Sequence, residues 1–421
     1  MSGGAVSIAG SGVISAIGKN VQECLESLEA GRAGIGAITY LDTVHRDTLP
    51  VGEVKASDAV LARMAGLGGD GPVRRQAAWS RNGPVGDPAV VSRTALLSLI
   101  AAKEALEDAA IPGLAALRTG FISANTVGGM DRTEHFFEEF LGGPQKGRLR
   151  DVVLHECGSI TGWVAQRLGI RHYQATISTA CSSSANAIMF GARLIRHGLL
   201  DIVVAGGVDA LTKFTLNGFH SLMILDSEAC KPFDNDRKGL NLGEGAGYVV
   251  LVSDKVAASL PRPAGCALSG YANANDAFHQ TASSPDGRGS WLAMKGALER
   301  SGLRPADIDY INLHGTGTQN NDLAEGTAIR RLFDPAYPRM SSTKAFTGHT
   351  LGASGGIEAV FSVLAIRHGV VYPNLRFKTA MTELPFTPET KFLKGLPVKH
   401  VLSNSFGFGG NCTSLIFSKQ S

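Results

Sequence analysis

Two stretches of this chain end alike, and that repetition limits its architecture more than anything else in the sequence. One apolar run of helical length closes with Ile195-Arg-His-Gly198, and a second closes with Ile366-Arg-His-Gly369. Each follows a turn rich in Ser, Thr and Gly. Upstream of each, a strand-like run passes into a loop of small residues, Phe121 to Gly129 in the first series and Ile311 to Thr318 in the second. The matched order predicts an internal duplication. Strands that alternate with helices imply an α/β chain with parallel or mixed sheets and helices on their faces. In such folds a site gathers at the carboxyl ends of strands.

The alternation runs along the whole chain. Apolar patterning predicts strands over 5–13, 119–125, 201–205 and 248–252, with helices over 21–30 and 92–109 and helical parts within 131–165. The second series has a strand near Ala267, strands over 308–313, 398–404 and 414–417, and helices over 290–301, 322–332 and 354–368. Pro261-Arg-Pro263 reads as the boundary, giving halves 1–261 and 262–421. Residues 65–92 are rich in Gly, Pro and Arg and read as an exposed loop.

Composition removes several classes of function. The 421 residues carry 40 basic and 37 acidic side chains, a net charge of only +3, so nothing global points to nucleic acid or a membrane surface. The six cysteines, Cys24, Cys157, Cys181, Cys230, Cys266 and Cys412, form no Cys-x-x-Cys pair and have no histidine at metal-ligand spacing. Reduced thiols in a cytoplasmic setting are expected, without a structural metal. No signal peptide is expected at the N-terminus, and no stretch approaches the ~18 uninterrupted apolar residues of a membrane span.

Chemistry concentrates at four predicted strand ends. Cys181 stands in Thr179-Ala-Cys181-Ser-Ser-Ser, at the mouth of a helix lined with Ala185, Ala187, Gly191 and Ala192. The helix dipole there favours a thiolate, so the cysteine reads as a mounted nucleophile. The same residues also suit a core cysteine followed by N-capping serines. His314 opens His-Gly-Thr-Gly-Thr318. Lys344 and His349 share Lys-Ala-Phe-Thr-Gly-His-Thr-Leu-Gly-Ala-Ser-Gly-Gly356, and Gly407-Phe408-Gly409 forms the last turn. Singly each has a bland reading as a satisfied side chain, a solvated charge or a turn. A mounted thiol and two histidines that all leave strands make a nucleophilic site the stronger reading.

With these motifs the sequence resembles the β-ketoacyl-acyl-carrier-protein synthases of the two-histidine, elongating type. The Lys231-Pro-Phe-Asp to Gly243-Glu-Gly-Ala-Gly247 segment and Val6-Ser-Ile-Ala-Gly-Ser-Gly12 fit as well, and only residues 60–92 follow the family poorly. The resemblance implies a thiolase-like fold, two duplicated halves in five αβαβα layers. It implies an acyltransferase that performs decarboxylative Claisen condensation with malonyl-carrier through an acyl-cysteine, in fatty-acid or polyketide assembly, a polyene pathway included. Cys181 would be the nucleophile, with the N–H groups of Cys181 and Phe408 as oxyanion hole. His314 and His349 would bind the malonyl thioester oxygen as neutral imidazoles. Lys344, paired with Glu325, would support them. Thr316 and Thr318 would bind the pantetheine arm, Phe408 would gate the acyl tunnel and Val127 would line it. No cofactor is implied beyond the phosphopantetheine of an acyl carrier protein. That carrier would dock near Lys146, Arg148 and Lys213, with Arg74 and Arg75 as looser candidates. The other partner would be a second copy or a ketosynthase-like chain-length factor.

Asn411-Cys412 departs from the Thr-Asn common in that family, so hydrogen bonding behind the oxyanion hole is expected to differ. A non-catalytic chain-length-factor-like subunit is the alternative reading. Such subunits typically lack the cysteine, whereas Cys181 and both histidines are present. A starter-condensing relative would show asparagine at His349. A papain-like hydrolase would have no use for a pantetheine site or duplicated halves.

Overall fold

The computed structural model describes residues 5–67, 91–112 and 116–420. Most of the loop expected over 65–92, with Arg74 and Arg75, lies outside the described residues.

Ten strands form one continuous ladder. In chain order they are β1 (Val6–Ser15), β2 (Thr119–Ala124), β3 (Tyr173–Ile177), β4 (Ile202–Asp209), β5 (Gly245–Val252), β6 (Cys266–Asn275), β7 (Tyr310–Asn312), β8 (Arg339–Ser341), β9 (His400–Phe406) and β10 (Asn411–Lys419). The first half is ordered β3-β2-β4-β5-β1 and the second β8-β7-β9-β10-β6. Adding five to each number of the first half gives the second. Directions repeat too: β2 is parallel to β3 and β4, and β7 is parallel to β8 and β9. The pairs β4–β5, β5–β1, β9–β10 and β10–β6 are antiparallel. The halves join where β1 meets β6 at Val6–Leu268 and Ser7–Ala267. The duplication expected from the paired tetrapeptides is present in the backbone.

The helices that build the layers are α1 (Val21–Glu29), α2 (Arg93–Ala109), α3 (Met130–Leu141), α4 (Cys157–Arg167), α5 (Ser183–Arg196), α6 (Lys213–Ser221), α7 (Arg288–Ser301), α8 (Gln319–Phe333) and α9 (Ser354–His368). Of these, α2, α4 and α5 of the first half answer to α7, α8 and α9 of the second, while α1, α3 and α6 belong to the first half alone. Alternate strand residues face different cores, which places the layers. Val203, Leu251, Val401 and Leu415 pack with Ile188 of α5 and Val360 and Phe361 of α9. Their neighbours Val204 and Val250 pack outward on Leu96 and Leu99 of α2 and Val164 of α4. Leu402 and Ile416 pack on Met294 of α7 and Ile329 of α8. The order is outer helices, sheet, central helices, sheet, outer helices. Strands buried on both faces read as near-continuous β-branched runs, as in Ile202-Val-Val-Ala205.

The central layer depends on small residues. A Cβ at Gly356 would lie 2.4 Å from the Gly247 carbonyl oxygen, and one at Gly191 would lie 2.9 Å from Val203 Cγ1. The two central helices lie beside one another, and Cys181 ahead of the first and His349 ahead of the second face one cavity.

Candidate active site

The nucleophile turn joins β3 to α5. Ala180 adopts a left-handed conformation (φ +52°), costly for a residue with a Cβ, and this swings Cys181 out of the strand direction. The serines do not cap the helix as expected. Ser182 is the N-cap residue but makes no side-chain cap bond. Its hydroxyl donates to the Thr179 carbonyl (2.7 Å) and to Asn411 Oδ1 (2.7 Å), while Ser184 Oγ accepts from Gly356 N–H (2.7 Å). They lash the turn to its neighbours.

Cys181 is only 5% exposed. Burial pushes its thiol up to about 11, against Lys344 and the N–H groups of Phe408 and of Cys181 itself, with the Asp209 carboxylate adding to the rise. The thiolate expected from the helix dipole is therefore corrected. The dipole acts, but desolvation outweighs it, and the resting group is a thiol.

Both histidines reach that sulfur. His349 Nε2 lies 3.0 Å from Cys181 Sγ, and one ligand-type atom each of Cys181, His314 and His349 falls within 4.8 Å of the others. The two rings meet edge to face, 5.5 Å between centroids at 87°. Burial holds both imidazoles well below their ordinary pKa, Lys344 depresses each further, and His349 adds to the effect on His314. Both are neutral near pH 7. Lys344 Nζ, a donor without acceptor capacity, sits 3.3 Å from His314 Nδ1. That nitrogen must accept, so the His314 proton is on Nε2. Ser354 Oγ stands 3.0 Å from His349 Nδ1, and a hydroxyl can serve either tautomer.

The expected pairing of Lys344 with Glu325 is not what the fold forms. Lys344 Nζ pairs with Glu358 of α9, both side chains buried. Glu325 is already taken: its carboxylate accepts from His314 N–H (2.9 Å), Gly315 N–H (2.8 Å) and Asn404 Nδ2 (3.0 Å). It fixes the backbone that presents His314. Burial pushes Glu325 and Glu358 each up to about 7.

A cavity of about 390 Å³ opens onto the thiol and both imidazoles, with Thr316, Thr318 and Phe408 in its wall. The two threonine hydroxyls are 2.9 Å apart. Phe408 stacks on Phe219, 5.8 Å between centroids and 16° from parallel. Val127 lies outside that lining, in an apolar cluster with Leu240, Leu242, Leu351 and Phe219, which meets the cavity at Leu240 and Phe219. The basic residues named for docking sit differently from one another. Lys146 is exposed. Arg148 bonds Asp151 (3.2 Å), and Lys213 pairs with Glu138 of α3 and stands 3.9 Å from Asp42.

Sequence reasoning missed Glu358, Ser354, Phe219 and Asp209. Asp209 accepts from Thr126 N–H (2.8 Å), Val127 N–H (3.1 Å) and Gly352 N–H (2.7 Å), which ties the two halves together behind the thiol. Its place at the end of a buried strand was the one available signal.

With this geometry, the likeness to known proteins is consistent. Residues 4–257 match the β-ketoacyl synthase N-terminal domain, and residues 265–378 match the β-ketoacyl synthase C-terminal domain. The chain is 32% identical to a 3-oxoacyl-[acyl-carrier-protein] synthase 2 of Staphylococcus aureus over 98% of both chains. It is 34% identical to the Synechocystis sp. protein of that name, again over 98% of both. Among solved structures, the ishigamide ketosynthase/chain length factor superposes with a TM-score of 0.89 at 29% identity, covering 99% of this chain and 100% of that one. The chain belongs to the β-ketoacyl synthase family. It has the thiolase-like fold and is an acyltransferase. Among the described residues no helix is long and apolar enough to cross a membrane.

Proposed function

We propose that this chain condenses an acyl thioester with a malonyl thioester, both carried on the phosphopantetheine arm of an acyl carrier protein, with Cys181, His314 and His349 as its catalytic residues. One observation carries the assignment: His349 Nε2 lies 3.0 Å from Cys181 Sγ, with His314 at the same sulfur.

In the first half-reaction Cys181 Sγ attacks the acyl carbonyl. The thiol proton passes to His349 Nε2 and on to the departing carrier thiolate. The N–H groups of Cys181 and Phe408, both directed at the sulfur, take the negative charge of the tetrahedral oxygen. In the second, the malonyl thioester loses CO2 and its electron pair enters an enolate. Nε2–H of His314 meets the enolate oxygen, and so does Nε2–H of His349 once Ser354 serves Nδ1 as donor. The enolate carbon attacks the acyl-Cys181 carbonyl, the C–S bond breaks, and the sulfur takes a proton that comes from solvent. The product is a β-ketoacyl thioester. Each step uses groups of this chain or of the thioesters and one solvent proton, so no further cofactor is required.

Thr316 and Thr318 are assigned to the pantetheine arm, Phe408 to the gate and Val127 to the tunnel wall. Lys344 and Glu325 hold His314 from its two sides. Lys146 is the strongest of the docking candidates, since Arg148 and Lys213 are engaged by carboxylates. The likeness to a ketosynthase/chain length factor supports pairing with a chain-length-factor-like subunit, with a second copy as the other option. We place the boundary between halves at 261/262 and the protein in the cytoplasm, where six free cysteines are at home.

The test is intact-mass analysis after incubation with acyl-carrier proteins. Wild type gains one acyl group on Cys181, and Cys181→Ala gains none and condenses nothing. His314→Ala and His349→Ala lose about 10²–10³-fold in decarboxylation; His314→Ala loses less in acyl transfer, whereas His349→Ala, which also removes the base for the thiol, loses there too. An adduct on another residue, or equal loss of both half-reactions in His314→Ala, contradicts these roles.

A further inference from the structure

Hydrogen bonds behind the nucleophile turn converge on one oxygen. Asn411 opens β10, directly after the 407–410 turn. Its Oδ1 accepts from Ser182 Oγ (2.7 Å), Asn186 Nδ2 (2.9 Å) and Asn273 Nδ2 (2.8 Å). Ser182 follows the nucleophile, Asn186 lies one turn further along α5, and Asn273 belongs to β6 in the other half. Ser182 and Asn186 are buried, 0% and 7% exposed. Thr413 Oγ1 reinforces the cluster by donating to Asn186 Oδ1 (2.7 Å). The Asn411 backbone works on the other side, where its carbonyl accepts from Gly407 N–H (2.9 Å) and closes the turn that carries Phe408.

One residue thus grips α5 with its side chain and shapes the Phe408 turn with its backbone. Those elements supply the two N–H groups around Cys181 Sγ, and an oxyanion hole depends on the relation between them. The contact has no slack. A Cβ at Gly407 would lie 3.1 Å from Cys181 N and 3.0 Å from the Thr179 carbonyl oxygen.

We propose that Asn411 is a positioning residue for acyl transfer, its Oδ1 setting how the Cys181 and Phe408 N–H groups face one oxyanion. It does not touch the reacting atoms. Ser182 Oγ, Asn186 Nδ2 and Asn273 Nδ2 each have a second acceptor, in the Thr179 carbonyl, Thr179 Oγ1 and Thr413 Oγ1, so loss of the shared oxygen breaks the tie between α5 and the Phe408 turn while leaving the donors partnered. The inference rests on the acyl-cysteine reading above.

The experiment compares wild type, Asn411→Ala, Ser182→Ala and the double variant in two assays on the full chain. One is single-turnover acylation by a series of acyl-N-acetylcysteamine thioesters, followed by intact mass. The other is alkylation of Cys181 by iodoacetamide, read by peptide mapping, which requires no oxyanion hole. Asn411→Ala is expected to lose about 10- to 100-fold in acylation, the scale of a misplaced catalytic geometry, while alkylation falls by much less, since the same N–H groups only help the thiolate against burial. Ser182→Ala is expected to lose less and to add nothing in the Asn411→Ala background. Unchanged acylation, acylation and alkylation falling by the same factor, or additive losses overturn the proposal. Should Asn411→Ala fail to fold, Ser182→Ala alone must still separate the two assays, and its failure to do so overturns the proposal as well. Wild type that stays unacylated at Cys181 across the whole series defeats the underlying reading instead, a distinct outcome.

Discussion

Cys181 and Gly352 occupy the same place in two copies of one turn. Each stands two residues before a central helix, at Ser183 and Ser354, and each follows a residue with φ +52°, Ala180 and Leu351. The backbone is duplicated down to its strained residue, and the chemistry is not. At Cys181 the approach is an open cavity edged by the Phe408 turn. At Gly352 the N–H is spent on Asp209 Oδ2 (2.7 Å), and a Cβ would lie 2.8 Å from that oxygen and 3.0 Å from Thr126 Cγ2. Asp209 ends β4, where Phe406 ends the equivalent strand β9 of the other half. The duplicated fold builds a nucleophile mount twice. A carboxylate plugs one copy, and a cavity serves the other.

The most severe way to break that comparison is to move the thiol. In a Cys181→Ala, Gly352→Cys chain, the new side chain meets Asp209 where the old one met a cavity. No acyl group at position 352 is expected by intact mass, and condensation is abolished. The crowding costs about 1–3 kcal/mol of stability, read from the denaturant midpoint. An adduct at position 352 would show that the turn itself, rather than what faces it, makes the nucleophile.

The next largest effect comes from removing the plug. Asp209→Ala leaves the Thr126, Val127 and Gly352 N–H groups and the Thr126 hydroxyl without their acceptor in a buried setting. At about 1–3 kcal/mol for each unsatisfied group, a loss of about 3 kcal/mol or more is expected in urea unfolding. Asp209→Asn, which keeps one carbonyl oxygen, loses less. Stability within about 0.5 kcal/mol of wild type in Asp209→Ala would mean that the second turn stands without its carboxylate.

Much of this arrangement can be read from the sequence, and the exceptions have physical causes. Long buried strands announce themselves through β-branched runs. The three-residue strand Arg339–Ser341 does not, because three residues that include an arginine carry no period, and α6 with its Asn, Gly and exposed Phe214 lacks a clean apolar face. Cys181, His314 and Phe408 just past strand ends, and His349 after the short helix Lys344–Thr347 where a strand end was expected, stand out through the small residues that flank them. Glu358 does not. It lies inside a helix buried on every side, where no face marks which carboxylate turns toward Lys344. The protonation state of Cys181 misled for a related reason: a sequence displays the helix start that favours a thiolate, whereas the burial that opposes it belongs to the tertiary fold.

The opposition of burial and helix dipole at Cys181 gives the smallest and most direct test of how the two turns differ. Were the helix start alone in control, alkylation of Cys181 by iodoacetamide would level off near neutral pH. With the thiol pushed up to about 11, the thiolate fraction gains about tenfold per pH unit, and the rate should still be climbing at pH 9. A plateau below that pH would reverse the ranking of burial over dipole. Asp209 supplies a finer check, because its charge sits behind Gly352 yet raises the Cys181 thiol. Its own carboxyl is pushed up to about 6 by burial, so it is charged above that pH and neutral below it. Asp209→Asn removes a negative charge that disfavours the thiolate. At pH 8 the variant should therefore alkylate faster than wild type, by less than about tenfold, as expected of one screened charge. Below pH 6 the two rates should converge, since both side chains are then uncharged. A slower variant at pH 8 would show that the plug helps the thiol lose its proton, the opposite of what its position and sign require.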